Sequence, residues 1–264
     1  MTANVPAPGP VEMESFLCRR RDLVVAWGNI DPLWAAWWRH AQELSILPEQ
    51  PAAMFMRDLL AALTLYLAVH PPDEFAACTL NIKEPKCNYF VCGDNNAFMV
   101  TGRVFEADVQ AASVNRLFFE TQRPHLEPAR TVLDVSGPTV LEMFEQYYWR
   151  SVQIPTRLLA LEDGRHVLVQ GMPRADRQWI RQLRVESVIE VLGELERIES
   201  RRYVFGCGCD PQRILNIVCG IFRQKKDELF HGQDRVEVSC PRCGRRYWIT
   251  SEDFDRGPRS VGAA

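Results

Sequence analysis

Residues 205–254 read FGCGCDPQRILNIVCGIFRQKKDELFHGQDRVEVSCPRCGRRYWITSEDF, and the two ends of that stretch decide how the chain is built. Cys207-Gly-Cys209 and Cys240-Pro-Arg-Cys243 are close thiol pairs, separated by the thirty residues 210–239. Zinc takes four thiolates in a tetrahedron at roughly 2.3 Å and has no preference for a flat or octahedral arrangement, so each pair can act as one claw. The second pair is an ordinary zinc knuckle, in which Gly244 lets backbone amides turn back toward the sulfurs. The C-x-C half is rarer. Its backbone must bend sharply, and Gly206 and Gly208 supply the torsions. The spacing predicts one zinc ion on Cys207, Cys209, Cys240 and Cys243, in a small C-terminal domain over residues 203–256 with a tail over 257–264. A segment of that size has too little core of its own, and bound zinc can add an apparent ~10–16 kcal/mol to such a fold.

Three other readings satisfy the same cysteines. The zinc could be purely structural, stabilising a constitutive protein-interaction module. Cys240 and Cys243 could form a thioredoxin-like redox pair, but that wants a helix start after a strand in a βαβ context, which the sequence lacks. A zinc ribbon binding nucleic acid would want a basic face. From Tyr203 to Ala264 there are ten Lys or Arg against eight Asp or Glu, and the cluster of Arg242, Arg245, Arg246 and Tyr247 is the only local support.

The whole chain has 264 residues, enough for one sizeable core plus a small module. With 47% hydrophobic and 25% charged residues it has the profile of a globular protein. A net charge of −3 gives no global pull toward nucleic acid or anionic membrane, so neither is expected as a partner, and any charged partner would have to be recognised by a local patch. The opening MTANVPAPGP lacks a basic segment followed by an apolar one, so residues 1–10 read as a Pro-rich tail and the chain as cytoplasmic. The most apolar run, Leu59 to Val69, has eleven residues where a span needs about twenty, and is expected to be a buried helix. Nine cysteines in a reducing compartment point to metal or thiol chemistry rather than a disulfide framework.

Asp31-Pro32 predicts an N-cap and helix start, running to about Ser45 with Trp34, Trp37 and Trp38 on one face, more as core than as an exposed interaction stripe. Pro51 and the Pro71-Pro72 pair bracket a second helix that is apolar nearly all round and therefore central. From Cys78 to Val104 the period shifts to short β runs, with Gly93-Asp94-Asn95-Asn96 as a turn. After the extended TVLDVS, Gly137-Pro138 leads into a helix to about Arg150, and a hairpin turns at Glu162-Asp163-Gly164-Arg165. The fold class is α+β: a mixed core domain over 11–175 with an antiparallel or mixed sheet. Residues 176–202 are expected to be an amphipathic helical linker, with Ile180, Leu183, Val188, Leu192 and Leu195 on one side.

The order of these pieces resembles the 33-kilodalton chaperonin family, the redox-regulated heat-shock holdases of bacteria. FGCGCDPQRILNIVCGI and VEVSCPRCGRRYWITSEDF resemble the family's C-x-C, spacer, C-x-x-C-G-x-x-Y zinc domain, with Tyr247 and Phe254 packed behind the knuckle. EQYYWRSVQIPTRLLAL and HVLVQGMPRAD resemble a helix and strand end that follow each other in the family, and RDLVVAW and CTLNIKEPKCNYFVCGDNNAFMVTGRV agree more loosely. Val152 stands where the family has Glu, and the linker is shorter than usual.

The resemblance implies an ATP-independent chaperone and no catalysis. Oxidation of Cys207 with Cys209 and of Cys240 with Cys243 to disulfides would release zinc, unfold the small domain and expose apolar surface to unfolding client proteins, with a homodimer as a form of the oxidised chain. Cys18, Cys78, Cys87, Cys92 and Cys219 match no family position and read as buried, inert thiols. Among the histidines, only His231 is a candidate replacement ligand.

Overall fold

The computed structural model describes residues 7–107, 109–110, 112–186, 188 and 194–257. Most of the expected Pro-rich tail and of the C-terminal tail lies outside those residues. The chain divides into two compact units, Met1–Gly206 and Cys207–Ala264.

In the first unit β1 (Val11–Cys18) and β2 (Leu23–Asn29) are followed by α1 (Asp31–Glu43) and α2 (Gln50–Ala68). Then come β3 (Phe75–Ile82), β4 (Cys87–Asp94), β5 (Met99–Phe105), β6 (Asn115–Gln122) and β7 (Ala129–Val135). A helix α3 (Val140–Tyr147) runs into a π turn over Tyr148–Val152 and the hairpin β8 (Thr156–Ala160) and β9 (Arg165–Gly171). The unit ends with α4 (Arg177–Gln182) and β10 (Glu196–Phe205). The strands form one sheet in the order β7-β6-β3-β4-β5-β10-β1-β2-β9-β8. Every pair is antiparallel except β10 with β5, which matches only Val204 to Met99 and Phe205 to Val100. β10 therefore joins two antiparallel half-sheets.

α1 starts where expected, with Pro32 in its first turn, although Ile30 rather than Asp31 is the N-cap residue and brings no side-chain bond; Asn29 Oδ1, just before it, accepts from Asp31 N at 2.9 Å. Trp34 and Trp37 are buried and Trp38 packs against them, so this stripe is core. α2 is long and apolar enough to cross a membrane by length and composition, but 72% of that window is buried inside the protein. Leu59 to Ala68 lie wholly inside, against the sheet and α3. Four side-chain interactions hold its carboxyl end. Asn95 Nδ2 donates to the Leu67 and Pro71 carbonyls at 2.9 and 2.8 Å, and Arg201 Nη1 donates to Leu67 and His70 carbonyls at 2.8 and 2.7 Å. These bonds satisfy carbonyls that a helix end otherwise leaves unpaired.

Two expectations are corrected here. Gly93 and Asp94 belong to β4, so the turn lies over residues 95–98, and Asn95 at its start is a buried anchor. The helical linker over 176–202 is not one helix. α4 ends at Leu183, whose backbone is extended, and residues 196–205 are a strand paired along β1. Ile180, Leu183 and Val188 do share a buried cluster with Phe16, Val25 and Val169, and Leu195 packs against it, but they reach it through a turn. Leu192 lies outside the described residues. The helical pattern misled because β10 places Arg201 inward as well as Tyr203, which hides the period-two alternation of a strand. The compact first unit runs to Gly206 and so takes in the segment 176–202 expected as a linker beyond a core ending at 175.

The second unit has α5 (Pro211–Phe222), α6 (Lys226–Phe230), the hairpin β11 (Arg235–Ser239) and β12 (Arg246–Thr250), and α7 (Ser251–Arg256). Ile214, Val218, Phe230, Ile249, Cys240 and Cys243 are its buried core, with Tyr247 and Phe254 against them as expected.

Candidate metal centre

Cys207 and Cys209 lie on the loop that enters α5. Asp210 caps that helix, its Oδ1 accepting from Arg213 N at 2.8 Å, and Pro211 stands in the first turn, so the helix start is fixed directly behind the C-x-C pair. Cys240 and Cys243 lie on the tight connection between β11 and β12. There Cys240 N donates to Arg245 O at 2.8 Å and Gly244 N to Cys240 O at 2.9 Å. Gly208 and Gly244 take positive φ of 62° and 81°, the left-handed region glycine enters without strain. Gly206 does not share that role. It continues the β10 pairing by donating to Val100 O at 3.0 Å, and a Cβ there would stand 3.0 Å from Met99 Sδ.

The four Sγ atoms lie within 4.8 Å of one another, with Cys207 to Cys240 at 3.7 Å and Cys209 to Cys243 at 3.5 Å. Four sulfurs about 2.3 Å from one centre would stand ~3.8 Å apart, so the separations fit a tetrahedral ion. They do not fit disulfides, in which sulfurs are about 2.05 Å apart. The donor set, sulfur only and half-buried to buried, can hold one metal ion. His231 is exposed and is not part of the cluster.

The electrostatics agree with a cation-binding site. Hydrogen bonds from Cys207 and Cys243, helped by backbone amides, lower the Cys240 thiol, whereas the bonds that Cys207 makes with Cys240 and Cys243, together with burial, raise Cys207. A divalent cation bound among the sulfurs would be the largest local charge and would favour the thiolate form of its ligands. Tyr247 donates to Cys209 Sγ and to Cys209 O, each at 3.1 Å, an outer contact that orients the sulfur. A cleft of about 270 Å³, lined by Cys207, Cys209, Cys240, Ile214 and Ile217 among others, opens onto the sulfurs.

The remaining cysteines stay apart from this cluster. Cys18, Cys78, Cys87 and Cys92 are buried in the first unit, and burial pushes Cys78 strongly upward, as an inert thiol requires. Cys219 is half-buried on α5. Sequence reasoning missed the Tyr247 bond to Cys209, although Tyr247 had been placed behind the knuckle.

Comparison with known proteins agrees with this arrangement. A family model described as Hsp33 protein matches residues 38–250. The chain is similar to the 33 kDa chaperonin of Chromobacterium violaceum, 25% identical over 53% of this chain and 56% of the relative. It is similar also to that of Aliivibrio fischeri, 25% identical over 78% and 81%. It thus spans about half the length of the first curated relatives it matches, and more of others. Its fold resembles the crystal structure of the 33 kDa chaperonin of Thermotoga maritima, with TM-score 0.67, 14% identity and coverage of 93% and 96%. A family match that begins inside α1 and ends with β12, beyond both cysteine pairs, spans most of the first unit and the whole sulfur cluster, and the chain belongs to the Hsp33 family.

Proposed function

We propose that this chain is an ATP-independent holdase of the cytoplasm that holds unfolding proteins under oxidative stress, and that Cys207, Cys209, Cys240 and Cys243 are both its zinc ligands and its redox switch. The observation that carries the reading is the convergence of four sulfurs within 4.8 Å in a chain of this family. A zinc ion bound there would keep the sulfurs as thiolates and contribute most of the folding free energy of so small a unit.

The four thiolates are the reducing agent of the switch. Two thiolates give up two electrons to one peroxide, which takes two protons and leaves as two waters, while the sulfurs join as a disulfide. Cys207 with Cys209 and Cys240 with Cys243 are the proposed pairs. Once both disulfides have formed, no donor is left for the metal. Cys240 and Cys243 then leave the core they share with Ile214, Val218, Phe230 and Ile249, whose apolar surface becomes available to clients. Oxidised chains would associate as homodimers through the same surface.

The test is light scattering of a heat-denatured client with reduced, zinc-loaded protein and with oxidised, metal-free protein. Suppression by the oxidised form alone is expected. Equal suppression by both forms would replace the switch with a constitutive interaction module; that reading draws on the incorporation of 196–205 into the sheet, where a separable cover was expected.

A further inference from the structure

The first unit carries an arginine and tryptophan surface that the thiol switch does not use. α4, with the sequence RQWIRQ, buries only Ile180. Arg177 and Arg181, one turn apart, stand over the Trp149 ring at 5.4 and 4.6 Å from its centre. Trp149 is itself fixed, since its Nε1 donates to Thr156 O at 2.8 Å. From the turn that follows β1, Arg21 stands over Trp179 at 4.0 Å, and Arg174, which reaches Asp22 at 3.5 Å, is 89% exposed.

The charge around this surface is one-sided. A cavity of about 450 Å³ is lined by Trp149, Arg177, Gln178, Arg181 and Gln182, with no carboxylate. Of the acids close in sequence, Asp176 accepts from the backbone of Gln178 and Trp179, Asp22 is paired with Arg174, and Glu186 is exposed on the following turn. In a chain of net charge −3 this concentration of guanidinium is local, which is the one way the composition permits an anionic partner.

We propose that this surface binds the phosphate backbone of single-stranded nucleic acid. A guanidinium held over an indole is positioned by cation–π attraction and keeps N–H donors for a phosphate, which it meets as a two-pronged fork. Gln178 and Gln182 add amides that both donate and accept, matching base edges, whereas the carboxylates of an acidic peptide only accept. With Trp149 and Trp179 packed against the core beneath them, the guanidiniums they hold form the kind of basic track that single strands follow along their backbone. A lipid surface would instead want apolar side chains projecting from the patch, and Ile180 is buried. The proposal departs from the expectation that nucleic acid is not a partner, which rested on net charge and on the second unit.

The experiment uses reduced, metal-loaded full-length protein and a fluorescent oligouridylate, followed by anisotropy at about 50 and about 200 mM salt. Four phosphate contacts predict a log–log slope of about −3, or roughly fiftyfold weaker binding across that range. Arg177→Gln with Arg181→Gln should weaken binding about tenfold or more and reduce the slope by about 1.4. Arg116→Gln with Arg130→Gln, which removes the same charge from β6 and β7 where those residues pair with Asp134 and Glu120, should bind like the parent. If the first double variant does not unfold at the parent's temperature, Arg21→Gln with Arg174→Gln replaces it with the same expectation. No binding at the lower salt, equal binding by the patch variant and the parent, or equally effective competition by polyglutamate or by anionic phosphatidylserine vesicles would each overturn the proposal.

Discussion

The Tyr247 hydroxyl reaches across from β12 to Cys209, donating to its Sγ and to its carbonyl oxygen at 3.1 Å each. The rarer claw of the cluster is thus held by a residue of the hairpin that carries the other claw. Removing only the hydroxyl, in Tyr247→Phe, keeps the ring in the small core and takes away the bond that orients the sulfur. Metal affinity should fall by about 10- to 100-fold, measured by competition with a chromogenic chelator. Affinity within a factor of about two of the parent would mean that α5 alone fixes Cys209.

Replacing Cys240 and Cys243 together by Ser removes two sulfurs and two buried core groups at once. The variant should purify without metal, and amides of residues 207–257 should exchange freely while those of the ten-stranded sheet remain protected. Tight retention of one zinc by this variant would remove the cluster as the metal site.

How legible these features were depended on which interactions a residue's neighbours in sequence reveal. The cysteine pairs could be read directly, because metal geometry constrains spacing within each claw, and α2 could be read because Pro51 and Pro71 bracket an apolar run. The long-range pairings could not. β10 looks helical in isolation because its inward Arg201 serves the carbonyls of Leu67 and His70, more than a hundred residues earlier. Asn95 does stand in the turn the sequence predicts, but its burial could not be read from its neighbours. Its burial follows from a bond to Tyr203, whose hydroxyl donates to Asn95 Oδ1 at 2.8 Å.

That bond can be measured. Tyr203→Phe leaves a buried amide oxygen without its donor, which should cost on the order of 1–3 kcal/mol in urea unfolding of the first unit, without change in metal content. A loss below about 0.5 kcal/mol would show that Asn95 finds another donor.

Glu145 offers a pH-dependent test. Its carboxyl is 5% exposed, and burial raises it to about 6 even though Leu158 N and Arg157 Nη1 both donate to it at 2.7 Å. A carboxyl raised in the folded state stabilises most below its unfolded value near 4.5, and that contribution is lost as pH rises through about 6. Relative to Glu145→Gln, which does not titrate, the parent should therefore lose about 1.5 kcal/mol between pH ~4.5 and ~6.5. Urea unfolding of both proteins across that range checks the sign. A constant difference would mean that Arg157 fully offsets the burial.

The connector between the sheet hairpin and the metal unit gives the last prediction. Had residues 176–202 been a docked helix, Leu183→Asp would release a cover and leave the core intact. The structure instead places Leu183, 5% exposed, in the cluster of Phe16, Leu23, Val25 and Val169. A carboxylate there has no partner and must either stay desolvated or pull the segment out of the core, so the cost should be about 3–5 kcal/mol. The urea midpoint of the first unit should fall accordingly. Any chaperone activity in the reduced form should rise only in step with the unfolded fraction. Activity appearing at an unchanged midpoint would instead identify the segment as a cover over client-binding surface, and it would move control of the switch from the four cysteines toward Leu183 and its neighbours.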